Sequence, residues 1–171
     1  ISSLLKHNFS PAVVKANVSS ETIHKFLFDK MEHSLLVFVN GNFSPELSKL
    51  IDIPKGVVIG SLAEALRNNN PIVKKHLGKY AENENYFFTT LSSAFTKDGA
   101  FIYVPDGKIV EDPIHIIFIT KSGSEKILTQ PRNLFVAGKN SQATIIEHYV
   151  SEEDSVYFTN AVTEIVADEN A

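Results

Sequence analysis

Val136-Ala137-Gly138-Lys139-Asn140-Ser141 recurs 30 residues later as Val166-Ala167-Asp168-Glu169-Asn170-Ala171. In both copies an apolar strand ends at Ala and turns through two variable residues, Asn and a small residue. Strand and turn recurring at a fixed spacing suggest a solenoid, whose coils stack on one another. Two copies also leave a sandwich or a jelly roll open. The same texture fills the second half of the chain. Residues 100–104 (AFIYV), 114–119 (IHIIFI), 134–137 (LFVA), 143–146 (ATII) and 156–167 read as strands. Turn residues separate them: Pro105-Asp106-Gly107, Asp112-Pro113, Lys121-Ser122-Gly123 and Gly138-Lys139-Asn140. Several of these runs are apolar at consecutive positions, so both faces are expected to be covered.

Before residue 98 the pattern is mixed. Residues 22–28 (TIHKFLF) are strand-like, and residues 34–39 (SLLVFV) form a stronger strand. Asn40-Gly41 follows at once and supplies the positive φ of a tight hairpin. The return arm, residues 42–44, is short because Pro45 cannot donate to a ladder. Residues 57–60 make another short strand. Ser61-Leu62-Ala63-Glu64 fits a capping box, and Leu62, Ala65 and Leu66 then share a helix face. Asn68-Asn69-Asn70 ends that helix. Pro71 opens a second one, with Val73, Leu77 and Tyr80 along its face and Gly78 as a late breaker. Phe87, Leu91, Ala94 and Phe95 mark a third helix, ended by Asp98-Gly99. The expected division is an N-terminal α/β part with three short helices, residues 1–97, and a strand-rich part, residues 98–171.

The chain has 171 residues, 43% hydrophobic and 21% charged, which is globular composition rather than disorder. It has no cysteine, which excludes disulfides, thiol nucleophiles and thiolate metal sites within it. No apolar run reaches the ~18 residues of a membrane span, and no signal peptide is visible at Ile1-Ser2-Ser3-Leu4-Leu5. A cytoplasmic location is the expectation. The net charge is -4, and the 12 acidic and 5 basic residues of positions 98–171 make that half acidic. With basic residues scattered elsewhere, nucleic acid is not an expected partner, nor is a membrane. The missing initial Met and the abrupt end at Asn170-Ala171 suggest a fragment of a longer protein.

No phosphate loop and no Gly-x-Ser-x-Gly elbow occurs. The six histidines are His7, His24, His33, His76, His115 and His148, with neither HxH nor HxxxH spacing. A turn containing glycine followed by Pro113-Ile114-His115 is similar to a cupin metal motif. That motif requires a second His where Ile117 stands. His148 shares a strand face with Ile146 and Val150 and reads as a hydrogen-bonded core or edge residue. Glu147 points the other way with Ile145 and Tyr149, and reads as a solvated carboxylate. His76, among Lys74, Lys75 and Lys79, reads as part of a wet helix face, and Glu152-Glu153-Asp154 as a solvated loop. No catalytic or metal-binding residue is assigned, and no cofactor-binding residue is identified. An enzyme acting on a carbohydrate or small molecule, of β-helix or cupin-like build, would need His115 and His148 on one surface with Glu111 or Glu147. An isolated homodimeric scaffold is a third possibility.

Five stretches in order resemble the SufB/SufD family of the SUF iron–sulfur cluster assembly system, and within it SufD most. They are residues 36–48 (LVFVNGNFSPELS), 57–66 (VVIGSLAEAL), 91–118 (LSSAFTKDGAFIYVPDGKIVEDPIHIIF), 130–151 (QPRNLFVAGKNSQATIIEHYVS) and 157–171 (YFTNAVTEIVADENA). Ser92 departs from the family, which commonly has Asn there on what reads as a helix surface. The resemblance implies a mainly β fold: an N-terminal α/β helical subdomain leading into a right-handed parallel β-helix, truncated here. It also implies a non-catalytic scaffold subunit whose partners are SufB-like and SufC-like subunits, the latter an ABC-type ATPase. No cofactor is implied in this segment, although the full complex would handle a nascent Fe-S cluster. The family's cluster-building positions lie in the part beyond this chain, so none is carried onto its residues.

Overall fold

The computed structural model describes residues 6–12, 16–28, 32–81, 86–122, 125–152 and 156–171. In chain order these hold β1 (Ser10–Pro11), α1 (Ser20–His24), β2 (Ser34–Val39), β3 (Asn42–Phe43) and a 3₁₀ turn (Pro45–Leu47). There follow β4 (Val58–Ser61), α2 (Leu62–Arg67), α3 (Pro71–His76), α4 (Phe87–Phe95), β5 (Ala100–Val104) and β6 (Ile114–Thr120). Last come β7 (Ile127–Thr129), β8 (Arg132–Ala137), β9 (Ile145–Ser151), β10 (Tyr157–Thr159) and β11 (Val162–Ala167).

The strands form three sheets, ordered β1-β7-β10, β11-β8-β5-β4 and β3-β2-β6-β9. This arrangement corrects the expected right-handed parallel β-helix: two of the three sheets are mixed. The antiparallel members are β3 against β2 and β4 against β5. Local chemistry explains both. Asn40 and Gly41 take φ of 49° and 77°, which folds β3 straight back on β2. After β4 the chain makes a helical excursion through α2 to α4 and re-enters so that Ala100 opposes Ser61. The 30-residue recurrence appears as the parallel register of β8 and β11, from Arg132↔Val162 to Ala137↔Ala167. Its two turn asparagines both adopt the left-handed conformation, and Asn170 Nδ2 donates to Asn140 Oδ1 at 3.1 Å.

Two sheets face each other across the main core. Leu36, Phe38, Ile116 and Phe118 from one meet Ala100, Ile102, Val104 and Phe135 from the other. Phe38, Phe118 and Tyr149 stack on adjacent strands with ring centroids 4.8 Å apart. The outer face of β2 and β6 carries Val37, Val39, Ile117 and Ile119, covered by Val18 and by Ile23 of α1. The outer face of β5 and β8 is covered by Leu62 of α2 and Val73 of α3. β6 is therefore buried along its whole length, His115 and Thr120 included, as its mostly apolar run suggests.

Residues 22–28 are not a strand. Ser19 accepts from the Thr22 amide at 3.1 Å and starts α1, so a cap overrides β propensity. At α2, Ser61 accepts from the Glu64 amide as expected. The remaining donors go to Asp98, whose Oδ1 accepts from Ser61 Oγ, Ala63 N and Gly99 N, and whose Oδ2 accepts from Phe43 N. One carboxylate thus ties α2, the β2–β3 hairpin and the start of β5. Leu66 is exposed, unlike its expected partners on the α2 face. The apolar face of α4 is likewise open, with Phe87 and Phe95 exposed. The residue buried in α4 is Ser92, so it is no surface position.

Candidate functional site

Parallel pairing of β6 and β9 sets His115 opposite Ile146 and Ile117 opposite His148. Alternation then puts both histidines on the outer sheet face and Glu147 on the inner one. The His115 and His148 rings stack with centroids 5.6 Å apart and planes 15° apart. His33 packs edge-on to His115 at 5.4 Å. Phe28 covers both, at 5.0 Å from His115 and 6.4 Å from His148, and Phe26 meets His148 edge-on. The expected hydrogen-bonded histidine is replaced by an aromatic stack. His115 is 0% exposed, and among the described residues neither of its nitrogens has a hydrogen-bond partner, nor has His148 Nδ1.

Burial, with the neighbouring His33 and His148, holds the His115 pKa down to about 4. The unfolded chain therefore binds the proton first as pH falls from the ordinary value near 6.5. This histidine's contribution is intact above about pH 6.5 and lost toward pH 4. From it alone, stability should fall by about 3 kcal/mol between pH 7.5 and pH 4. Urea unfolding at both pH values reads this, and His115→Leu should flatten the dependence. The same slope in that variant would refute the assignment.

Glu147 is not solvated as expected. It accepts from Asn133 Nδ2 at 2.7 Å, Thr163 Oγ1 at 2.9 Å and Tyr149 OH at 3.3 Å. Burial, the Glu147 charge beside it and their hydrogen bond push the Tyr149 phenol well above its ordinary range. Glu147 is thus turned away from the histidines, and Glu111 lies exposed in the turn before β6. The carboxylate–histidine convergence that an enzyme reading requires is not formed by these residues. Among the described residues no group of three or more His, Asp or Glu could hold a metal ion. His76 is buried, not wet, and its Nδ1 lies 2.6 Å from the Tyr80 hydroxyl. Burial, then Lys75, lowers its pKa. Glu152 accepts from Thr22 and pairs with Lys121 at 2.8 Å. Glu153 and Asp154 lie outside the described residues.

The most strongly built polar cluster went unread in the sequence. Glu164 accepts from the amides of Gly78, Tyr80 and Ala81 and pairs with Arg132 at 2.9 Å. Its signal was a lone carboxylate at an inward position of an apolar strand. Arg132 also donates to Ser93, so one ion pair joins the α3–α4 connection and α4 to the sheet. No helix of the described residues is long and apolar enough to cross a membrane.

Comparison with known proteins adds a second kind of observation. Residues 1–116 match the family model described as the SufBD protein N-terminal region. Residues 118–171 match the SufBD core domain of SUF-system FeS cluster assembly. The chain is 31% identical over 168 residues to the iron-sulfur cluster assembly SufBD family protein slr0076 of Synechocystis, covering 94% of this chain and 37% of the relative. It is 29% identical to the iron-sulfur cluster assembly protein SufD of Bacillus subtilis, over 68% of this chain and 27% of the relative. It is 31% identical to SufB of the same organism, over 66% and 24% respectively. The chain thus spans about a quarter to a third of the length of these relatives.

Proposed function

The chain belongs to the SufB/SufD family of the SUF iron–sulfur cluster assembly system, and from that premise we propose that it is part of a SufD-like scaffold subunit. The observation that carries this reading is the unbroken succession of the two family regions along one chain. Relatives named SufD and SufB match at similar identity, and the SufD assignment rests on the order and spacing of the five resembling stretches rather than on one motif. In this reading the chain works without a catalytic group of its own. It holds a rigid surface on which a SufB-like partner and a SufC-like ATPase act, and the nascent cluster is cargo of the whole complex. The pins Asp98, Glu147 and Glu164 support that role: Asp98 joins the β2–β3 hairpin to α2, Glu147 joins the two facing sheets, and Glu164 joins the α3–α4 connection to the sheet. The proposal includes the division into an N-terminal α/β part, residues 1–97, and a strand-rich part, residues 98–171, and a cytoplasmic location.

The test is co-expression of the full-length protein with SufB-like and SufC-like subunits, followed by affinity capture and light scattering. A heteromeric complex of defined mass is the expected result. Capture of neither partner would remove the functional reading.

A further inference from the structure

We infer that His33, His115 and His148 form an acid-sensitive latch beneath the segment that runs from α1 to Phe28, so that protonation loosens this cover from the sheet. Three imidazoles stand in a row at 5.4 and 5.6 Å, and two phenyl rings of the cover lie against them. A charge placed on this stack is desolvated and faces like charge once a second ring is protonated. The proton can be accommodated by lifting the rings of residues 26 and 28, which lets water reach the imidazoles. His115 is the buried member, and its lowered affinity for a proton in the closed state agrees with the geometry.

Among the described residues no carboxylate pairs with His115 or His148. On the cover, Glu21, His24 and Lys25 are exposed. Glu32 beside His33 and Lys49 opposite Leu35 are exposed as well. β2 carries no ionisable side chain, and within β6 His115 is the one ionisable group. Glu111 and Asp112 lie in the turn that enters β6, and Glu147 of β9 points to the other face. At the far end of the cover Glu152 holds Thr22 and Lys121. The hydrogen bond from Lys121 keeps the Glu152 carboxyl below its ordinary range despite burial. That end therefore stays fastened at pH 5.0, above the ordinary carboxylate value. The cover is hinged near Thr22 and released at Phe26 and Phe28.

Hydrogen exchange on the full chain at pH 7.5 and 5.0, corrected for intrinsic rates, tests this. From a proton affinity that rises from about 4 closed to 6.5 open, opening of residues 22–28 should increase about 30-fold. Residues 116–120 of the buried strand β6, which exchange through global unfolding, should remain far better protected than 22–28 at both pH values, and their exchange alone should accelerate in low urea. The double variant His115→Leu with His148→Leu should lose the response, and His24→Gln should keep it. Unchanged protection of 22–28 at pH 5.0, exchange of 22–28 as slow and as urea-sensitive as that of β6, or an undiminished response in the double variant would each overturn the latch. Should the double variant not fold, ring-carbon NMR titration of the wild-type protein decides. Titration of His115 at or above its ordinary value overturns the latch; titration below it upholds the latch together with faster exchange of residues 22–28 at pH 5.0 in the wild-type protein.

Discussion

Replacing Glu164 by glutamine should lower the unfolding free energy by about 3–5 kcal/mol, measured by urea denaturation near pH 7. Glu164 is 2% exposed, and its two oxygens accept from the amides of Gly78, Tyr80 and Ala81 and from the Arg132 guanidinium. Burial alone would raise its pKa, but the Tyr80 amide, Arg132, and the Gly78 and Ala81 amides together hold it below the ordinary carboxylate value. Glutamine keeps the shape and removes the charge. Its amide nitrogen then confronts a donor, and Arg132 is left buried without its counter-ion. Replacing both residues by apolar side chains of similar volume should recover most of the loss, because the desolvation cost disappears with the pair. A cost below 1 kcal/mol for Glu164→Gln would show that this network does not hold the helical region to the sheet. The pH sign follows from the depressed value: the contribution is present above the ordinary carboxylate pKa and disappears as pH falls through the folded one.

Gly99→Ala should cost about 3 kcal/mol or more, without any conformational peculiarity at Gly99 itself. A Cβ there would fall on the Arg132 carbonyl and lie 2.8 Å from the Arg132 nitrogen. Both are backbone atoms, so no flexible side chain can move aside. The strand cannot shift either, since Leu62 N donates to Gly99 O at 2.8 Å and Arg132 N to Asp98 O at 3.1 Å. Gly60→Ala is the control: a Cβ at Gly60 meets nothing within 4 Å, and the change should stay within about 0.5 kcal/mol. Thermal unfolding of the two variants compares them directly, and equal losses would refute the steric account.

The sequence and the fold agree where a signal is local. Residues 34–39 are β2 and residues 100–104 are β5, because β-branched and aromatic side chains leave no helical alternative. The Asn40-Gly41 hairpin, the Ser61 cap and Pro71 at the first position of α3 each rest on a few neighbouring residues. Residues 22–28 failed because the Ser19 cap outweighed side-chain propensity. β7 went unseen because three residues carry too little pattern to stand out. Of the candidate site, the faces of His148 and Glu147 were legible from strand alternation alone. Their partners were not, since Phe26, Phe28, Asn133 and Thr163 come from other parts of the chain.

By itself the sequence determined the family, the strand-rich second half, the 30-residue register and the hairpin and cap positions. All of these depend on order, period or a few adjacent residues. Only the tertiary structure decided which strands pair in which sense, that two of the sheets are mixed, and that α4 leaves Phe87 and Phe95 exposed. It also decided that His115 and His148 stack, and that Arg132 meets Glu164 across 32 residues. Those outcomes follow from chain closure and burial, where a side chain's environment is set by segments that sequence distance does not reveal.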